Sequence, residues 1–355
     1  MKNVKASWKK KFMVDVPVEV MEHIAARGSF VVVRSKGLYR NIGEHIEIGE
    51  EKRAEDQRLS FAEQMNQKVR EVNLKIWMEN LADNIPFIKA SGDISQIPKA
   101  TKKTAIVVGA GPSFKKKSQL KIIKKTKNQA IISTDRMLIP LLESNIIPDY
   151  VVSVDGHRKL IAPFYESQLV NENLSTVGVM GVTVAPNVVQ RFPGKKYFFT
   201  PMIDDIDQPV SLTSAISLMT GTSILSTGGN TGITCAYLAF YLGYKNIILT
   251  GLDLGYTEDT PIENSAYYQV VKEADPTITP EKYKEIYLVE GYNPGFKVKY
   301  YTDITWVSHI DDLIRQSRYM SEKGVNIINA TEGGSLHGGA IKCMPLEEAI
   351  LYEQD

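Results

Sequence analysis

From about residue 100 onward the chain alternates short apolar runs with polar and mixed stretches of helical length. Thr104–Val108, Ala130–Ser133, Tyr150–Val154, Val177–Met180, Tyr197–Phe199, Asn246–Thr250 and Val325–Ile328 read as strands, because they are brief and rich in β-branched or aromatic residues. The first three recur every 20 to 26 residues with room for a helix between them, the spacing of βαβ units. The pattern predicts an α/β, Rossmann-like fold: a mainly parallel sheet flanked by helices, with a smaller N-terminal α+β region. In such sheets ligands bind at the carboxyl ends of the strands.

Before residue 100 the pattern differs. Leu59, Phe61, Met65, Val69, Val72, Leu74, Trp77 and Leu81 follow one another mostly at three- and four-residue steps, predicting one or two amphipathic helices over 54–81. Phe30–Arg34 reads as an earlier strand. Ala90–Lys103, rich in Ser, Gly, Pro and Lys and without periodicity, reads as a linker. The expected organisation is therefore 1–100 as an N-terminal region and linker, and 101–355 as a nucleotide-binding catalytic domain. Residues 256–306 interrupt the alternation and hold eight of the 17 tyrosines, so they read as an insertion, either an acceptor platform or a packed subdomain.

Composition removes several function classes. Lys plus Arg number 42 against 41 Asp plus Glu, a formal charge of +1 that supplies no global field for nucleic acid. No apolar run approaches the roughly 20 residues of a membrane span, and no apolar h-region follows the N-terminal lysines, so a cytoplasmic protein is expected. Cys235 and Cys343 are too few for a disulfide framework, and the five histidines show no metal-binding spacing.

Candidate chemistry gathers at the strand ends. The first strand runs into Gly109-Ala-Gly111-Pro-Ser113, where absent Cβ atoms leave backbone N–H groups open to a phosphate or simply allow a tight turn. The turn is neither a dinucleotide fingerprint nor a Walker loop, since Phe114 replaces the third glycine and no GKS or GKT follows. Asp135 and Asp155 end the next two strands and are candidates for a ribose hydroxyl or for magnesium bridging phosphates; a helix cap is the plainer role for Asp135. Asn230, Thr231 and Gly232 open a helix apolar nearly all round, a second helix end suited to an anion. Asp253 ends a further strand. His309, near the start of the last long helix, is the histidine best suited to proton transfer.

Together Gly109–Ser113, Ile147-Pro-Asp-Tyr-Val-Val-Ser-Val-Asp155, Gly228–Gly232, Gly251-Leu-Asp-Leu254 and Asn329-Ala-Thr-Glu-Gly-Gly334 resemble, in that order, the motility-associated factor (Maf) glycosyltransferases. These share a domain with the 6-hydroxymethylpterin diphosphokinases of MptE type. The resemblance covers roughly residues 74–340. Leu242-Gly-Tyr-Lys-Asn-Ile-Ile-Leu-Thr-Gly-Leu-Asp253 is also similar to a segment of bacterial sialyltransferases that carry a GNGPS turn. What the resemblance implies is transfer of a sugar such as a nonulosonic acid from a CMP-type nucleotide donor to flagellin or another protein or glycan. For such a reaction the residues themselves suggest Gly109, Gly111, Ser113, Asp135, Asn230, Thr231 and Gly232 at the nucleotide and Asp155, Asp253 and His309 in catalysis; no residue aligns firmly with the sialyltransferase base histidine, and His309, Tyr300 and Tyr301 are the candidates near it. Ala110, Asp135 and Asp155 stand where the sialyltransferases have asparagines; carboxylates there favour a magnesium-bound di- or triphosphate, with Asp135 and Asp155 as its ligands. The alternatives are a diphosphokinase acting on a pterin alcohol with ATP, and a nucleotide-binding interaction protein without catalysis.

Overall fold

A computed structural model describes residues 73–116, 119–171, 175–204, 206 and 211–352. The strand expected at Phe30–Arg34 and the helical pattern before residue 73 lie outside the described residues. In chain order the strands are β1 (Gly92–Asp93), β2 (Thr104–Val108), β3 (Ala130–Thr134), β4 (Tyr150–Ser153), β5 (Val177–Gly181), β6 (Lys196–Pro201), β7 (Ile224–Leu225), β8 (Asn246–Thr250), β9 (Leu288–Asn293), β10 (Val298–Asp303), β11 (Asn326–Asn329) and β12 (Ile341–Cys343). The chain divides into two compact units, one containing Ala130–Gly243 with the described part of Gln67–Lys102, the other containing Lys103–Gln129 and Tyr244–Asp355.

In the first unit the sheet order is β1-β6-β5-β4-β3, with β7 beside the far end of β6, and these ladders are parallel. β3 is buried along its whole length and β4 and β5 along all but their first residue, as expected of strands covered on both faces. The helix over 73–90 buries Leu74, Met78 and Leu81, three successive steps of one face, against a core that includes Val151, Met180 and Phe198. The helix Thr231–Leu242 follows the reading from sequence closely: Asn230 accepts from Gly232 N–H as its cap, and Gly243 closes it in the left-handed region at φ +95°. Cys235 lies fully buried inside it, and burial pushes its thiol well above the ordinary range, the behaviour of inert packing.

The stretch read from composition as a linker is packed instead. Gly92 and Asp93 pair with Tyr197 and Phe198, Ile94 and Ile97 are buried, and the Asp93 carboxylate accepts from Ser223 N–H and Oγ–H. Two residues of strand and one turn are too short to leave a periodic signal.

In the second unit β2, β8, β11 and β12 form parallel ladders in that order. The insertion carries the antiparallel β9–β10 hairpin and a small core of Tyr268, Ile278 and Tyr283. The buried Asp303 carboxylate accepts from both Tyr256 Oη (2.5 Å) and Tyr283 Oη (2.7 Å), which ties the start of the insertion to its end. Burial raises the Asp303 carboxyl against these two bonds. The insertion is thus a packed element with its own polar clasp. Among the described residues no helix is long and apolar enough to cross a membrane.

Candidate functional site

The residues singled out from sequence fall into two groups, one in each unit. In the first unit β3 ends in Thr134 and delivers Asp135 as the first residue of the helix Asp135–Glu143; Thr134 occupies the cap position. Asp135 is buried, its Oδ1 accepting from Arg136 N–H (2.7 Å) and its Oδ2 from Ser153 Oγ–H (3.1 Å). Burial raises its carboxyl to about 6, these two hydrogen bonds pull it back, and nearby Asp155 pushes it further up. Tyr165 is buried beside it; burial first and then Asp135 raise its phenol well above the ordinary value.

Asp155 follows β4 and is half-buried. Its Oδ1 accepts from His157 N–H (2.7 Å) and its carbonyl from Ala185 N–H (3.0 Å), so the loops after β4 and β5 are joined at this point. Gly156 follows Asp155 and is buried. The structure shows a covering residue: a Cβ on Gly156 would stand 2.9 Å from the Trp77 ring, and Asn80 Nδ2–H donates to Gly156 O and Thr183 O. Asn84 does the same for Val182 O and Val184 O, and Arg158 binds Asn80 Oδ1 and Asp83 Oδ2. The helix over 73–90 therefore shapes the strand-end loops, through residues that no motif marks.

Asn230, Thr231 and Gly232 also belong to this unit. Gly228 and Gly229 take positive φ, and a Cβ on Gly228 would meet Ile233 at 2.3 Å, so this turn into the helix demands glycine. The helix packs on β3 and β4, and its residue Cys235 is close enough to Asp135 for the carboxylate to affect its thiol. The capped helix start and the two strand-end aspartates thus belong to one region of this unit. A separate concavity of about 540 Å³, lined by Ser91, Gly92, Gln96, Lys195 and Tyr197 among others, opens at the amino end of β6.

The second group surrounds Asp253, just beyond β8 and 2% exposed. Its Oδ1 accepts from Ser113 N–H (3.3 Å) and its Oδ2 from Ser113 Oγ–H (2.8 Å). Gly109 N–H donates to Thr250 O, Gly111 N–H to Gly251 O and Phe114 N–H to Gly111 O. The N–H groups that sequence reasoning opens to a phosphate are, at these four residues, given to acceptors within the protein. The glycines answer to backbone contact: a Cβ on Gly109 would stand 2.4 Å from Gly251 O, and one on Gly111 1.9 Å from Asp253 Oδ2. Asn329–Gly334 completes the knot, since Ser335 N–H donates to Asp253 O and a Cβ on Gly334 would meet that oxygen at 2.3 Å. Asp253 is an anchor holding three loop motifs together. His309 lies half-buried in the second turn of the helix Ile304–Glu322, not at its start, because that helix begins four residues before Ser308, where the polarity pattern starts it.

The fit to magnesium is uneven. Among the described residues no group of three or more His, Cys, Asp and Glu gathers to hold a metal ion. Asp135 is buried, raised in pKa and engaged at both oxygens, a poor magnesium ligand in this arrangement; Asp155 is the better placed of the pair.

The family model described as 6-hydroxymethylpterin diphosphokinase MptE-like matches residues 79–259, which include both strand-end aspartates, the capped helix start and Asp253. The solved structure of a Maf glycosyltransferase from Magnetospirillum magneticum AMB-1 superposes over 75% of this chain with a TM-score of 0.52 at 18% identity. This chain spans only 38% of that structure's length, and the likeness shows a shared fold. No curated protein matches the chain.

Proposed function

The chain belongs to the 6-hydroxymethylpterin diphosphokinase MptE-like family, and from that premise we propose that it is a transferase of Maf type, moving a sugar from a nucleotide-activated donor to a protein or glycan acceptor. The observation that carries this reading lies in the first unit. Parallel strands end there in Asp135 and Asp155, beside a 12-residue helix whose start is capped by Asn230. Strand ends in such a sheet are where ligands bind, and a helix start of this length favours negative charge.

In the reaction an acceptor hydroxyl attacks the anomeric carbon, a new C–O bond forms, and the bond to the nucleotide phosphate breaks with its electron pair leaving on the phosphate. The helix start at Asn230, Thr231 and Gly232 stabilises that departing charge. Asp155 orders donor hydroxyls or receives the acceptor's proton. Gly109, Gly111, Ser113 and Asp253 support the fold of the second unit instead of touching phosphate. A CMP-type donor is the reading suggested by the resemblance to sialyltransferases. The family description favours a second reading, diphosphate transfer from ATP to a pterin alcohol, in which magnesium joins Asp155 to the phosphates.

Thermal shift with CMP, CDP, UDP, GDP and ATP, each with and without magnesium, separates the two. A ligand at about 100 times its dissociation constant stabilises by about 2.7 kcal/mol. The glycosyltransferase reading expects a cytidine nucleotide to raise Tm without metal. A response to ATP confined to magnesium supports diphosphate transfer, and no response to any nucleotide contradicts both.

A further inference from the structure

We propose that Arg136 is the residue that receives a phosphate oxyanion of the bound nucleotide, an inference that rests on the reading that the strand ends of the first unit bind one. Arg136 directly follows the buried Asp135 at the end of β3 and is exposed. Its guanidinium stands over the Phe164 ring, 5.2 Å from the centroid, and Phe164 itself packs on the unit's hydrophobic core. Two other arginines of the unit are engaged: Arg158 is paired with Asp83 and bonded to Asn80, and Arg191 is paired with Glu166. Arg136 makes no ion pair or side-chain hydrogen bond to a described residue.

The geometry suits one kind of partner. A guanidinium 5.2 Å from an aromatic centroid is within cation–π range, and its five N–H donors lie in one plane. The edge of that plane matches two oxygens of a phosphate, whereas an ammonium offers only a point charge. Attraction to a core-anchored ring restrains the fork before ligand arrives, which lowers the entropy lost on binding. The two carboxylates nearby would repel the same anion, so a fixed cation at the head of the helix Asp135–Glu143 supplies the compensating charge.

The test compares wild type, Arg136→Gln, Arg136→Lys and Phe164→Leu by calorimetric titration with CMP, CDP and ATP, and with the phosphate-free nucleosides cytidine and adenosine. Arg136→Gln should keep the wild-type Tm and weaken nucleotide binding by about 10-fold or more, the scale of one charge-assisted bond, while leaving nucleoside affinity unchanged. Arg136→Lys and Phe164→Leu should each lose part of that factor, since one keeps charge without the fork and the other keeps the fork without its support. Nucleotide affinity within about twofold of wild type in Arg136→Gln overturns the inference and leaves the proposed function standing. Equal loss for nucleotides and nucleosides also overturns it, because the residue would then act on the pocket and not on the phosphate. A wild-type protein that binds no nucleotide overturns the functional reading and this inference with it.

Discussion

Gly111→Ala should lower stability by about 3 kcal/mol, although it adds a single methyl group to a loop. The new Cβ would lie 1.9 Å from Asp253 Oδ2 and 2.7 Å from Gly251 O, and neither can retreat cheaply. Asp253 is buried and holds Ser113 through two hydrogen bonds, while Gly251 O receives Gly111 N–H. Gly324→Ala is the matched control: its φ of +73° strains any L-residue, yet a Cβ there meets nothing within 4 Å. Its cost should be about 1 kcal/mol, the backbone strain alone. Urea unfolding of both variants checks the contrast, and equal costs would mean that the loops around Asp253 are not in contact as described.

The second large effect concerns pH. Asp135 titrates near 3.8 when unfolded and at about 6 in the fold, chiefly because burial disfavours its charge. The folded protein therefore holds this proton more tightly than the unfolded chain does. The stabilisation is fully present below about pH 4 and is lost as pH rises through about 6. A shift of this size corresponds to about 3 kcal/mol. Asp135→Asn removes the titration, so between pH 4 and pH 7 wild type should lose about 3 kcal/mol of stability relative to the variant. Denaturant unfolding at a series of pH values measures the difference. Parallel curves for the two proteins would place Asp135 in a solvated setting.

The parallel strands of each unit were legible in the sequence where they are apolar and enclosed, as at Ala105–Val108 and Ile247–Leu249, all fully buried. Those missed lack that signature. β1 and β7 are two residues each, β12 is three, and β9–β10 mixes Tyr, Lys and Glu along strands with exposed positions. The candidate site divides in the same way. A helix start such as Asn230–Gly232 is local, so cap and glycine spacing reveal it. Asp253 reads as a free strand-end acid because its partner Ser113 is 140 residues away in sequence, and the glycines at 109 and 111 read as ligand-facing because the carbonyl of Gly251 that they meet leaves no sequence signal. The cover that Trp77 and Asn80 place on Gly156 is equally silent, since nothing in a helical periodicity says which loop its polar face will bind.

The proposed activity requires a nucleotide to bind at the carboxyl ends of the first unit's parallel strands. Hydrogen exchange, followed residue by residue with and without the nucleotide that gives the largest thermal shift, tests it most directly. Slowed exchange is expected at 134–136, 155–158 and 228–232. Protection absent from these three segments and confined to 90–97 and 194–197, around the concavity at the amino end of β6, would contradict it.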